Sequence, residues 1–191
     1  MKNTLLLLIL LPLLSFGQSK QDEGLAKIYK ALENPDTVTV LELDYYDLSY
    51  LPPEIGQLTN LEHLSLSHNR LQSLPAEIGQ LINLRFLDLS YNWPGLTFIP
   101  PEIGQLSNLY YLTLRSCPVS SLPPEIGQLT NLNSLDLSVT KLTSLPPEIE
   151  QLTNLHNLSL LETRISYLTP VREEIKRRLP NCRVEFEEDN Y

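Results

Sequence analysis

Few residues of this 191-residue chain are suited to chemistry: it has three histidines and two cysteines. His63, Ser65 and His68 fall close together, and Asp88 follows at a short interval. Two chemistries use such a set. Imidazoles from His63 and His68 with the Asp88 carboxylate are metal-ligand types, provided outer groups orient them. Ser65 with His63 as base and Asp88 behind it would be a hydrolase, which needs an oxyanion hole and a sheltered pocket as well. The glycines are single and evenly spaced, so no loop is built to cradle phosphate.

The elements that position these residues are set by repetition. A segment close to LPPEIGQLTNL, followed by a stretch with LxL at its heart, recurs from Leu51, Leu74, Ile99, Leu122 and Leu145. Successive spacings are 23, 25, 23 and 23 residues. Such a fixed period in the twenties is the signature of a solenoid. The leucine-rich part alternates as a strand and EIGQL reads as a helical turn, with Pro-Pro at its start, where a missing N–H costs nothing. Glu54, Glu77, Glu102, Glu125 and Glu148 follow at the positive end of that turn and are expected to be solvated. Gly56, Gly79, Gly104 and Gly127 become Glu150 in the last copy, so this position is expected to have ordinary helical φ.

An open sheet offers no sheltered pocket, and His156 lies four strands from His63, ~19 Å away. The chain is therefore read as non-enzymatic, with no cofactor and no metal. Cys117 and Cys182 are three strand steps apart, ~14 Å, beyond the ~7 Å that a disulfide spans.

The ends depart from the repeat. Residues 20–34 place Leu25, Ile28, Tyr29 and Leu32 at helical spacing before Asn34-Pro35. An atypical first unit follows, with Val38, Leu41, Leu43, Leu48 and Leu51, as expected of a cap over an open solenoid end. Beyond Leu168, Pro170 opens a helix to Leu179, and residues 182–186 form a last strand before an acidic tail. The division is a signal peptide (1–17), a capping helix and first unit (18–50), five repeats (51–167), and a C-terminal cap with tail (168–191).

Over about residues 36–186 the pattern resembles the leucine-rich repeat family. The units are similar to the 23-residue LPxEIGxLxxL kind of Ras-suppressor-type and bacterial repeat proteins, and LPNCRV resembles the family's C-terminal cap. The resemblance implies an α/β solenoid, a horseshoe with a concave parallel β-sheet and convex helical turns. It also implies protein or peptide binding as the usual role, without naming the ligand.

Specificity then belongs to the columns that do not repeat. Residues flanking the strand leucines face outward on the concave side. They run Val40, His63, Phe86, Tyr111, Ser134, Asn157, then Glu42, Ser65, Asp88, Thr113, Asp136, Ser159. Two more columns follow: Asp44, Ser67, Ser90, Arg115, Ser138, Leu161 and Tyr45, His68, Tyr91, Ser116, Val139, Glu162. Tyr45, His63, His68, Phe86, Tyr91 and Tyr111 gather on the early strands and read as one contiguous patch with hot-spot character. β-Propensity alone also leaves aromatics on sheets. Asp44, Asp88 and Asp136 favour a basic or hydrogen-bond-donating ligand. A two-residue insertion brings Trp93 to the rim, either as an anchor beside Tyr91 or folded over its own Pro-Gly turn. An inner column, Tyr46, Asn69, Asn92, Cys117, Thr140, Thr163, is structural, its Asn bonding to backbone at the bend.

Lys2, the apolar run 5–14 and Ser15-Phe16-Gly17 have the layout of a secretory signal cut before Gln18. The run is short of the ~20 residues a membrane span needs. The formal charge of −9 argues against nucleic acid and anionic lipid as partners. The expectation is an exported, secreted or periplasmic module that binds protein or peptide through Tyr45, His63, His68, Phe86, Asp88, Tyr91, Tyr111 and Arg115, with Trp93 at the rim. If residues 1–17 are not a signal, the alternative is an intracellular scaffold of the Ras-suppressor type.

Overall fold

The computed structural model describes residues 19–187. The segment read as a signal peptide and all but the first residue of the acidic tail lie outside these residues. Seven three-residue strands form one open parallel sheet in sequence order. They are β1 (Val40–Glu42), β2 (His63–Ser65), β3 (Phe86–Asp88), β4 (Tyr111–Thr113), β5 (Ser134–Asp136), β6 (Asn157–Ser159) and β7 (Arg183–Glu185). The register is unslipped: Leu41, Leu64, Leu87, Leu112, Leu135 and Leu158 lie side by side, with Val184 last. These six leucines are buried, as are the second strand leucines from Leu43 to Leu160. Each unit thus adds one aliphatic layer to a continuous core, burying about 2 kcal/mol per leucine side chain.

EIGQ (EIEQ in the last repeat) forms a 3-10 turn in each, such as Pro53–Gln57, Pro101–Gln105 and Pro124–Gln128, with the second proline (Ala76 in one copy) as its first residue. No glycine among the described residues has positive φ, as the Glu150 substitution implied. The glycines are instead required by stacking. A Cβ on Gly127 would lie 2.5 Å from the Glu148 carbonyl oxygen of the next unit. Above Glu150 no further PPEIGQ turn follows, so a side chain fits. The same close stacking leaves Glu54, Glu77, Glu102, Glu125 and Glu148 half-buried, where full solvation was expected.

Both ends are covered. Helix α1 (Lys20–Ala31) begins with a capping box between Ser19 and Asp22 and buries Leu25, Ile28 and Tyr29. It is shorter than the sequence pattern suggested, because a separate 3-10 turn, Pro35–Thr37, follows. Lys27 Nζ donates to the Glu42 carbonyl at 3.1 Å, which blunts the free edge of β1. At the other end, helix α2 (Thr169–Arg178) buries Ile175 and leads to buried Leu179 and Phe186. Arg178 fastens it through Nε to Glu150 Oε1 at 2.6 Å and Nη2 to the Pro146 carbonyl at 2.9 Å. A 3-10 turn, Arg164–Tyr167, precedes α2 and was not evident from sequence. No helix among the described residues is long and apolar enough to cross a membrane.

The inner polar column behaves as its residue types require. Asn69 Nδ2 donates to the Leu43 and Leu66 carbonyls, and its Oδ1 accepts from Leu48 N–H at 2.9 Å. Asn92 does the same one unit on, accepting from Leu71 N–H. Thr140 and Thr163 donate only to the carbonyl three residues before, and Thr163 Oγ1 also accepts from Ser166 N–H at 3.3 Å. Cys117 donates through Sγ to the Leu89 carbonyl at 3.0 Å. The insertion explains why an Asn acceptor is dispensable there: Leu96 N–H, the equivalent donor, already bonds to the Asn92 carbonyl at 3.2 Å.

Candidate functional site

The aromatic residues form two stacked ladders, not the single contiguous patch expected. On the strands themselves, His63 stacks on Phe86 with centroids 5.7 Å apart, and Phe86 on Tyr111 at 4.7 Å and 5°. Their register positions are direct neighbours, so strand spacing alone brings the rings into contact. Beyond the strands, Tyr45 stacks on His68 at 4.3 Å and His68 on Tyr91 at 4.3 Å, within 11° of parallel. These three have φ between 54° and 64°, as do Ser116, Val139 and Glu162 in the same column at 54° to 58°. The left-handed bend after each strand turns this column onto the rim, which the sequence, lacking glycine there, did not signal.

Between the ladders lies the column Ser65, Asp88, Thr113, Asp136. Asp88 Oδ1 accepts from Ser90 N–H at 2.8 Å and Asp136 Oδ1 from Ser138 N–H at 2.9 Å. Asp44 Oδ1 accepts from Ser67 N–H and the Ser65 hydroxyl. These carboxylates, expected to draw a basic ligand, each spend an oxygen on shaping the bend. Ser65 thus donates to Asp44, an arrangement different from the Ser65–His63–Asp88 relay weighed above. His63 and His68 belong to different ladders, and Asp88 lies between.

A groove of about 740 Å³ runs along the other side of the strand ladder. His63, Phe86 and Tyr111 form one wall. The rest comes from residues the sequence reading passed over: Arg85, Tyr110, Asn133 and His156 just before the strands, and Asn108, Asn131 and Asn154 from the repeated TNL or SNL segment. The three asparagines form a ladder, each donating through Nδ2 to a carbonyl of the preceding unit at 2.8 Å. Asn133 Nδ2 lies 2.9 Å from His156 Nδ1. Tyr45, His68, Asp88, Tyr91, Arg115 and Trp93, also expected at the site, do not line this groove.

Arg115 belongs to the rim ladder, with Nε 3.4 Å from the Tyr91 hydroxyl. Trp93 is 55% exposed, and Lys141 Nζ lies 4.8 Å from its ring centroid. A cation from a later unit thus lies over the face of the exposed ring. Burial, then the Asp136 and Asp88 carboxylates, hold the Tyr111 phenol above its usual value.

The comparisons with known proteins agree with this architecture. Profiles described as a leucine-rich repeat region and a leucine rich repeat match residues 97–173 and 36–93, and another leucine rich repeat profile matches 83–106. A leucine-rich repeat protein of Leptospira interrogans is 44% identical at TM-score 0.72, over 77% of this chain and 36% of that one. The leucine-rich repeat domain of the type III effector XopL is 28% identical at TM-score 0.68, over 81% and 55%. A plant peptide hormone receptor, RGFR1, solved in complex with RGF2, is 36% identical at TM-score 0.56, over 70% and 23%. No curated protein matches the chain. The chain belongs to the leucine-rich repeat family, whose fold commonly mediates protein–protein recognition. It spans 36% and 55% of the lengths of the first two of these structures.

Proposed function

We propose that this protein is an exported, non-enzymatic recognition module that binds a protein or peptide on the face of its sheet. The observation that carries the reading is the groove beside the His63–Phe86–Tyr111 ladder. It joins pre-stacked rings, which lose little freedom on binding, to polar groups held by the repeat. The complex of RGFR1 with RGF2 supports a peptide ligand for this fold. The rim ladder and Trp93 extend the contact surface beyond the groove. Export to a secreted or periplasmic destination is supported by the charged, apolar and small-residue order of residues 2–17. N-terminal sequencing of the mature protein is expected to begin at Gln18; a retained Met1 would refute export.

The binding reading is tested by Phe86→Ala combined with Tyr111→Ala. Both rings are only half-buried and lie outside the leucine core. The double variant is expected to lose a partner recovered by pull-down with the exported form, while its melting temperature falls only slightly. Unchanged affinity would refute the site.

A further inference from the structure

The groove's charge and ring geometry specify its ligand more narrowly than the family does. The chain carries a formal charge of −9, yet no Asp or Glu lines this groove. Its ionisable side chains, apart from the tyrosines, are Arg85, His63 and His156, two of the three histidines in the chain. Arg85 is exposed, and its guanidinium has no hydrogen-bond or ion-pair partner among the described residues. The Asp44, Asp88 and Asp136 carboxylates lie beyond the ladder, capping the bends, and Glu62, beside Arg85 in the preceding unit, is not among the lining residues.

The rings act in the same sense. Phe86 has His63 on one face and Tyr111 on the other, so both its faces are covered. What it presents outward is its edge. An aromatic ring is positively polarised at the edge and negative on the face. A ladder seen edge-on therefore complements an anion. By contrast, a guanidinium or a sugar packs on ring faces. The ladder has two terminal faces: that of His63 is next to Val40, and that of Tyr111 is next to the smaller Ser134, which leaves more room for a further ring.

We infer that this groove takes an extended acidic peptide segment, whose carboxylate meets Arg85 and the ring edges while a planar side chain continues the ladder over Ser134. The Asn108, Asn131 and Asn154 carboxamides offer the peptide backbone hydrogen-bonding groups along the groove. This deepens the recognition reading and rests on it.

The test measures binding of the full chain to synthetic peptides of one length. In one set Asp or Glu alternates with Tyr or Phe, in a second Lys or Arg replaces the acids, and in a third Ser does. Polygalacturonate is the non-peptide polyanion. The acidic set is expected to bind best, to weaken about tenfold or more in Arg85→Glu, and to be unaffected by Arg177→Glu, an exposed cation of α2 away from the groove. Thermal melting of each variant verifies folding. Equal or better binding of the basic or Ser set, preference for polygalacturonate, indifference to Arg85→Glu, or no binding at all would overturn the acidic-peptide assignment. Binding of the basic or Ser set that disappears in the Phe86→Ala, Tyr111→Ala variant overturns the ligand class but leaves the recognition site. Binding indifferent to that double variant overturns both.

Discussion

Val139 has the most costly backbone on the rim. Its φ of 58° puts a β-branched residue in the left-handed region, where L residues pay roughly 1–2 kcal/mol. Its column mates include aromatics that recover part of such a cost by stacking, but Val139 joins no ladder. Val139→Asn is expected to raise stability by about 0.5–1 kcal/mol, seen as a melting point a few degrees higher. No change would show that the bend is unstrained. The cysteines give a second test at this scale. Burial pushes the Cys117 thiol up to about 12 and the Cys182 thiol up to about 11, and both are free. At neutral pH alkylation should reach Cys182 slowly and Cys117 only after unfolding. The unfolded chain releases the Cys117 proton near 9.0, so alkali stabilises the unfolded state first and stability falls as pH rises from there toward about 12. Cys117→Val should flatten that decline.

At the scale of elements, the stacked turns tolerate no added atom at the repeat glycines. Gly104→Ala would place a Cβ 2.5 Å from the Glu125 carbonyl oxygen, and the variant is expected to lose about 1–3 kcal/mol in a denaturant titration. A neutral outcome would mean that the turns can slide apart. The strands and turns were legible in the sequence because leucine alternation and the 23-residue period both point to them. The groove was not, and Arg85 shows why. It has the parity of buried Leu87, so strand alternation assigns it inward. Yet the strand starts only at Phe86, and the N–H groups of Arg85 and Phe86 both bond to the Glu62 carbonyl, marking where the alternation stops. Arg85 is exposed as a result. The column Arg85, Tyr110, Asn133, His156 was therefore hidden by a strand shorter than the pattern suggests. The rim ladder was misjoined to the strand ladder for a related reason: only a glycine or asparagine in the sequence would have flagged the positive φ that separates them.

At the scale of the molecule, near-identical turns hold the sheet in register while the columns beside each strand leucine vary. Rings at neighbouring positions then become ladders with their edges outward, one on the strands and one on the rim. No Asp or Glu lines the groove between the strand ladder and the asparagine ladder. The account's central claim is that recognition happens in that groove. Amide hydrogen exchange of the protein with and without its pulled-down partner measures this most directly. The account predicts slowed exchange in peptides spanning residues 82–87, 108–112 and 131–135, with little change across the turns at 124–128 and 147–151. Protection confined to the turns, with the strand segments unaffected, would contradict it.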